Sequence, residues 1–499
     1  MTQHELMLAA ILLPFATALL IVVCGRFPNL REAVTLVGAG GLALTVFKLI
    51  AGFDAATATP LVLAEILPGF RVMLRAEPIG LVFAGVAAGL WGLNSLYSIG
   101  YMRAEHAPRQ TRFYACFAVA LGSAMAIALA GNLATLFVAY EALTFATYPL
   151  VVHWQTEGAI AGARRYLAYL LATSLVPFFG AIVWTWIATG TLDFTPGGIL
   201  DGKMDDGLLA ILLFMFAYGV GKAALMPMHG WLPAAMVAPT PVSALLHAVA
   251  VVKAGVFTLL KIAVYIFGIE VIGRGVGDLL VVVAAASVIA ASLIAMTKDD
   301  LKARLAYSTV AQLAMVTLAV ALGEPIAIAA GILQLVMHAW GKITLFFGAG
   351  AIQLATHKKK LSEIAGIGAK VPLLMIAFLF GSLSVAGLPP FGGMWPKFLL
   401  LEASVDRHMV VLTVCLGLST LLTLGYLVPI FIQAFFRKPH DEDPHHLPGK
   451  DGHHHEEGSL PVLALIPPVV TAAGCVVLFI AAPAILGFVA PVIGLGVLP

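Results

Sequence analysis

Charged side chains are scarce in this sequence. Asp, Glu, Lys and Arg make up 11% of the 499 residues, whereas a soluble domain carries about 25%. With 61% hydrophobic residues, that shortage overrides the multi-domain soluble reading that length alone suggests. A net charge of +2 leaves no dominant basic surface, so no nucleic-acid partner is expected. Cysteine is nearly missing. Cys24, Cys116, Cys415 and Cys475 stand singly in apolar segments, without metal-ligand spacing or a disulfide framework. No phosphate-binding glycine loop, nucleophile elbow or clustered-cysteine motif occurs. The expectation is a chain with no metal, no cofactor and no catalytic site of its own. The start, MTQHELMLAA, lacks a basic n-region and a cleavage site, so the first apolar run is expected to be a retained helix.

What the chain has instead is long apolar runs. A spanning helix needs roughly 20 such residues, and about 14 candidate spans can be traced. They start near residues 5, 32, 77, 112, 132, 163, 207, 240, 275, 301, 326, 371, 409 and 459. The fold class is therefore an all-α integral membrane protein. Connections after odd-numbered spans carry Arg26 and Arg31; Arg103, Arg109 and Arg112; Arg164 and Arg165; Lys298, Lys302 and Arg304; Lys358, Lys359 and Lys360; Arg437 and Lys438. Those after even-numbered spans are poor in basic residues, and one holds Asp193, Asp201, Asp205 and Asp206. Basic loops stay in the cytoplasm. Both termini are thus expected on the periplasmic or exterior side of a bacterial inner membrane.

Five charges stand alone inside apolar runs: Glu141, Lys222, Lys253, Lys342 and Lys397. A charge at bilayer depth costs at least ~2.5–3.5 kcal/mol, so each raises a functional hypothesis. Four of them are amines that can bind and release a proton, which points to ion movement. Glu141 reads either as a carboxylate paired with Arg164 or Arg165, or as the anion that sets the proton affinity of Lys222. Lys222 reads as a pathway residue or as a snorkelling lysine. Lys253 lies nearer mid-span, and Lys261 is the better snorkeller. His338 and Lys342, four apart, share a helical face. His247 and Lys253, six apart, do not. Either histidine reads as a packing residue or as part of a proton relay. Thr240, Ser243, Ser308, Thr309 and Gln334 read as relay-water holders or as ordinary small-residue packing. Lys397 reads as a pathway lysine or as a partner of Glu402.

Two proline-rich stretches interrupt the spans, residues 226–233 (MPMHGWLP) just past Lys222 and residues 387–393 (GLPPFGG) just before Lys397. Proline removes a backbone donor, and unwound backbone is tolerated at membrane depth only when buried or lining a wet cavity. Breaks in matching positions of two halves point to an ion path. These fall in the seventh and twelfth spans, which suggests two inverted five-helix units. The expected organisation is 1–111 for three N-terminal helices, 112–268 and 269–435 for the two inverted repeats, 436–458 for a His-rich cytoplasmic loop and 459–499 for the last helix. The tract HDEDPHHLPGKDGHHHEE, residues 440–457, reads as a solvated linker, with metal binding the alternative.

Residues 221–261, GKAALMPMHGWLPAAMVAPTPVSALLHAVAVVKAGVFTLLK, resemble the signature of the proton-conducting antiporter-like subunits of respiratory complex I, Mrp-type antiporters and membrane-bound hydrogenases. DLKARLAYSTVAQL (300–313), HAWGKITLFFGAG (338–350) and GLPPFGGMWPK (387–397) resemble three further stretches of that family, in order. The likeness covers roughly residues 70–435. It implies fourteen helices with inverted five-helix repeats. It also implies that Glu141 matches the family's glutamate, Lys222 its partner lysine, Lys253 the central lysine, His338 and Lys342 the connecting relay and Lys397 the terminal lysine. The motif APTPVSALLHAVAVVKAG resembles the branch holding the largest complex I antiporter-like subunit and the large Mrp subunits. The missing C-terminal lateral helix leads to the expectation of an Mrp-type, D-like member of the family. The resemblance implies a proton-translocating component of a multi-subunit Na+/H+ antiporter. Its partners would be other membrane subunits, protons and a cation such as Na+. The alternatives are a proton-pumping component of a complex I-like oxidoreductase or membrane-bound hydrogenase, the membrane component of an inorganic-carbon uptake complex, or a scaffold with no ion path.

Overall fold

A computed structural model describes residues 2–67, 70–437 and 460–495. The His-rich tract at 440–457 lies outside the described residues, so neither reading of it is tested. Helices dominate: α1 (Gln3–Val23), α2 (Pro28–Ala51), α3 (Pro78–Ala104), α4 (Gln110–Ala128), α5 (Leu133–Val151), α6 (Glu157–Thr189), α7 (Asp206–Gly219) and α8 (Thr240–Phe267). They continue with α9 (Asp278–Thr297), α10 (Leu301–Leu322), α11 (Pro325–Thr356), α12 (Pro372–Ala386), α13 (Met394–Asp406), α14 (Val410–Phe436) and α15 (Val462–Ile493). Among the described residues, 12 helices are long and apolar enough to cross a membrane. Two shorter apolar helices are α7 and α12, the ones that run into the proline-rich stretches.

Local chemistry sets the helix ends. Asn132, Thr156, Asp205 and Asp300 each accept a first-turn amide at the start of α5, α6, α7 and α10. Proline at the first helical position opens α2, α3, α11 and α12. One departure from the all-α expectation is a hairpin, β1 (Leu61–Leu67) with β2 (Phe70–Leu74), paired antiparallel from Leu61↔Leu74 to Leu67↔Phe70. Its short alternating runs are hidden in the sequence by the apolar spans on either side. It seals against the start of α5, where Asn132 Nδ2 donates to the Arg71 carbonyl at 2.7 Å.

Every residue in the most apolar stretch of α8 is buried, and nearly all of those of α10 and α11 are. These three helices form the axis of the bundle. The outer helices α1, α2, α6, α9, α14 and α15 turn large apolar side chains outward, among them Val23, Val37, Ile187, Val282, Val411 and Ile480. Surrounded by lipid, that distribution is the stable one: apolar side chains face acyl chains, and polar ones turn toward the axis.

Both breaks are satisfied from within. After α7, a turn at Gly221–Ala223 carries Lys222, and Ala224 adopts a left-handed conformation at φ 53. The freed Gly221 carbonyl accepts from Trp231 Nε1 at 2.9 Å, and that of Met226 from the Tyr218 hydroxyl at 2.8 Å. After α12, Gly387 takes φ 84, a region only glycine enters without strain. The Ala386 carbonyl it leaves behind accepts from Lys397 Nζ at 2.7 Å.

Candidate functional site

At one end of the axis, Lys222 is fully buried against α5. Its Nζ donates to the Tyr140 carbonyl at 2.8 Å and to Thr144 Oγ1 at 2.6 Å, and lies 3.2 Å from the Tyr140 ring centroid. The break brings the amine here. A Cβ on Gly255 of α8 would collide with the Lys222 carbonyl carbon and with Ala223 N, so only glycine lets the turn close on α8. Glu141 is next to Tyr140 in the chain, yet its carboxylate does not bond Lys222. Both of its buried oxygens lack a hydrogen-bond partner among the described residues. Arg164 and Arg165 are exposed, so the structural pairing weighed for Glu141 is not formed either.

The middle of the axis joins α8, α10 and α11. Lys253 Nζ and His338 Nδ1 are 2.7 Å apart, both enclosed by the bundle. At that distance one proton is held between two nitrogens, either by an ammonium donating to the imidazole or by an imidazole donating to the amine. His247 lies in a wider, π-helical turn, Leu245–Val249, and its Nδ1 is 3.0 Å from Thr309 Oγ1. The far nitrogens of both imidazoles, Nε2 of His247 and of His338, have no partner among the described residues. Lys342, one turn beyond His338 on α11, donates to Ser308 Oγ at 2.6 Å and to the Leu305 carbonyl at 3.2 Å.

The link from Lys342 onward runs through Ser308, one of the hydroxyl candidates, and then through Tyr426, Thr423 and Thr420, which the sequence did not single out. Ser308 Oγ donates to the Tyr426 hydroxyl at 3.0 Å, and Tyr426 donates to Thr423 Oγ1 at 3.2 Å. One turn earlier on the same face of α14, Thr420 Oγ1 accepts from Lys397 Nζ at 3.2 Å. Lys397 is therefore tied to its own broken span and to α14 rather than to Glu402. Of the five hydroxyl and amide candidates, Ser308 and Thr309 touch the titratable groups. Gln334 bonds Gln312 at 2.7 Å, Thr240 meets the Tyr101 hydroxyl at 3.5 Å, and Ser243 bonds the Pro239 carbonyl.

Lys261 differs from its sequence reading. It does not snorkel to a headgroup layer but is fully buried, in an ion pair with the carboxylate of Glu77 and 2.5 Å from the Ala130 carbonyl. Hairpin, α3 start and α8 end converge there, which supplies the partner.

Residues 130–423 match the family described as NADH:quinone oxidoreductase/Mrp antiporter, transmembrane. The NAD(P)H-quinone oxidoreductase subunit 5 of the Paulinella chromatophora organellar chromatophore is 30% identical over 381 residues, covering 72% of this chain and 55% of the relative. The A/B subunit of a probable K(+)/H(+) antiporter from Rhizobium meliloti is 30% identical over 416 residues, covering 82% of this chain and 40% of the relative. The chain thus spans about half the length of these curated relatives. A solved chain of the Mrp complex from Dietzia sp. DQ12-45-1b superposes with a TM-score of 0.86 at 21% identity, covering 99% of this chain and 97% of that one. That likeness is one of fold.

Proposed function

The chain belongs to the NADH:quinone oxidoreductase/Mrp antiporter transmembrane family, and we propose that it is the proton-translocating membrane component of a multi-subunit monovalent cation/proton antiporter. The observation that carries the reading is the row of amines, imidazoles and hydroxyls along the axis, buried from Lys222 through Lys253 and His338 to Lys342, Ser308, Tyr426 and Thr423, and half-buried at Thr420 and Lys397. Such a row is costly in an apolar bundle. It is retained where protons must cross.

In this reading the proton moves along the hydrogen bonds of the row, crosses the unbonded steps from His338 to Lys342 and from Thr423 to Thr420 through water, and electrostatics sets the order. Two ammonium groups in a low-dielectric interior repel strongly, so a proton reaching Lys253 drives the next one off Lys342 toward Tyr426. Glu141, its oxygens without a partner among the described residues, is the anion that approaches Lys222 when that amine is charged. Water carries the transfer between Lys222 and Lys253. His247 acts beside the main line, through Thr309. Residues 112–268 and 269–435 are read as the inverted five-helix units. Support comes from the breaks after α7 and α12, each of which places a lysine beside freed backbone. The basic loops put both termini outside a bacterial inner membrane.

The name of the Paulinella relative supports a second reading, a proton-pumping component of a quinone oxidoreductase-like assembly. Copurifying the native assembly and identifying its subunits separates the two. Small antiporter subunits, with K+- or Na+-dependent discharge of a pH gradient in vesicles, fit the first. Redox subunits without such discharge overturn it in favour of the second.

A further inference from the structure

Away from the axis, the starts of α2 and α4 and the end of α3 border an open cavity of about 540 Å³ lined by Arg31, Glu32, Arg103, Arg109, Gln110 and Thr111. We propose that this cavity binds the phosphate of an anionic phospholipid headgroup.

Three arginines face one glutamate. Glu32 is taken up by Arg103, with Arg31 Nη2 at 3.4 Å. The other partners of Arg31 are neutral, Thr111 Oγ1 at 3.2 Å and Gln110 Oε1 at 2.8 Å. Arg109 bonds the neutral Gln155. Arg31 is 5% exposed, lines the cavity, and its Nε has no hydrogen-bond partner among the described residues. A buried guanidinium without full compensation is costly, and an incoming anion removes that cost. Two helix starts reinforce the field. α2 begins at Pro28 and α4 at Gln110, and neither has a side-chain cap. Free first-turn amides and aligned peptide dipoles favour phosphate.

The surroundings favour a lipid over a free ion. Val22, Val23, Phe27 and Leu30 are exposed beside the cavity, on the end of α1 and the start of α2, where acyl chains would lie. The cavity also falls on the basic-loop side, and anionic headgroups collect on such segments. Phosphate in the arginine cluster with two chains along α2 satisfies both features at once.

The test uses the purified, delipidated assembly, titrated with dioleoylphosphatidylglycerol, dioleoylphosphatidylcholine or inorganic phosphate and read by native mass spectrometry and thermal unfolding. An arginine at an anionic surface is worth about fivefold in affinity, so Arg109→Glu should weaken phosphatidylglycerol binding about 25-fold. Phosphatidylcholine binding should not change. Arg109 is exposed and outside the axis, and Arg109→Gln, with an intermediate loss, guards against a folding artefact. Equal binding of the two lipids, or an unchanged preference in both variants, overturns the proposal. Displacement of phosphatidylglycerol by inorganic phosphate alone assigns the cavity to the free ion and overturns the lipid.

Discussion

Tyr426→Phe is the most discriminating change because it deletes one oxygen and nothing else. The hydroxyl accepts from Ser308 at 3.0 Å and donates to Thr423 at 3.2 Å, and it joins α10 to α14 in the row. Its loss leaves the buried Ser308 hydroxyl proton without its acceptor, while the other bonds of both neighbours remain. Ser308 still accepts from Lys342 at 2.6 Å, and Thr423 still donates to the Ser419 carbonyl at 2.7 Å. The stability cost is therefore set by one buried donor left unpaired, about 1–3 kcal/mol. The transport cost is far larger. Removing a positioned proton-transfer group slows transfer by ~10²–10⁴-fold. In inverted vesicles carrying the native assembly, pH-gradient formation followed with a fluorescent probe should fall about 100-fold or more, with subunit content unchanged. Ser308→Ala should fall similarly, and the double variant should be no worse than either single, as for residues in one chain. Undiminished transport by Tyr426→Phe would refute the route from Lys342 to Lys397.

Two other expectations concern groups off that route. Lys261→Met leaves Glu77 buried without its cation and should cost about 3–5 kcal/mol in thermal unfolding, most of it recovered in Lys261→Met/Glu77→Leu; an unchanged melting point in the single variant would contradict the buried pair. His153, buried in the connection after α5, is pulled down from 6.5 to about 4, first by burial and then by the Arg112 guanidinium. Its neutral form is favoured in the fold, so its contribution is present above 6.5 and lost as pH falls toward 4. His153→Gln should flatten the stability profile across that window, measured by unfolding at stepped pH, and an unaltered profile would contradict the assignment.

The isolated lysines were legible because a charge within an apolar run is visible in one dimension. Their partners were not. Lys253 meets His338 across 85 residues and Ser308 meets Tyr426 across 118, and a serine, threonine or tyrosine in a spanning helix carries no mark that separates a relay from packing. Lys261 was misjudged for the same reason: proximity to a helix end signals snorkelling, while Glu77 lies far back in the chain, in a loop. The i to i+4 spacing put His338 and Lys342 on one face, but each then turns to a different helix, toward Lys253 and toward Ser308. The two breaks were readable from proline and glycine. What the sequence did not convey is that side chains, Trp231 and Lys397, would satisfy the freed carbonyls. The hairpin at Leu61–Leu74 stayed hidden because its strands are short and flanked by stronger helical signals.

The proposed proton path runs along the row of amines, and Lys253 is its mid-axis member, 2.7 Å from His338 of α11. The direct measurement is proton flux through proteoliposomes containing the full assembly with Lys253→Ala. Flux should vanish while the assembly purifies with all its subunits. Flux equal to that of the unaltered protein would contradict it.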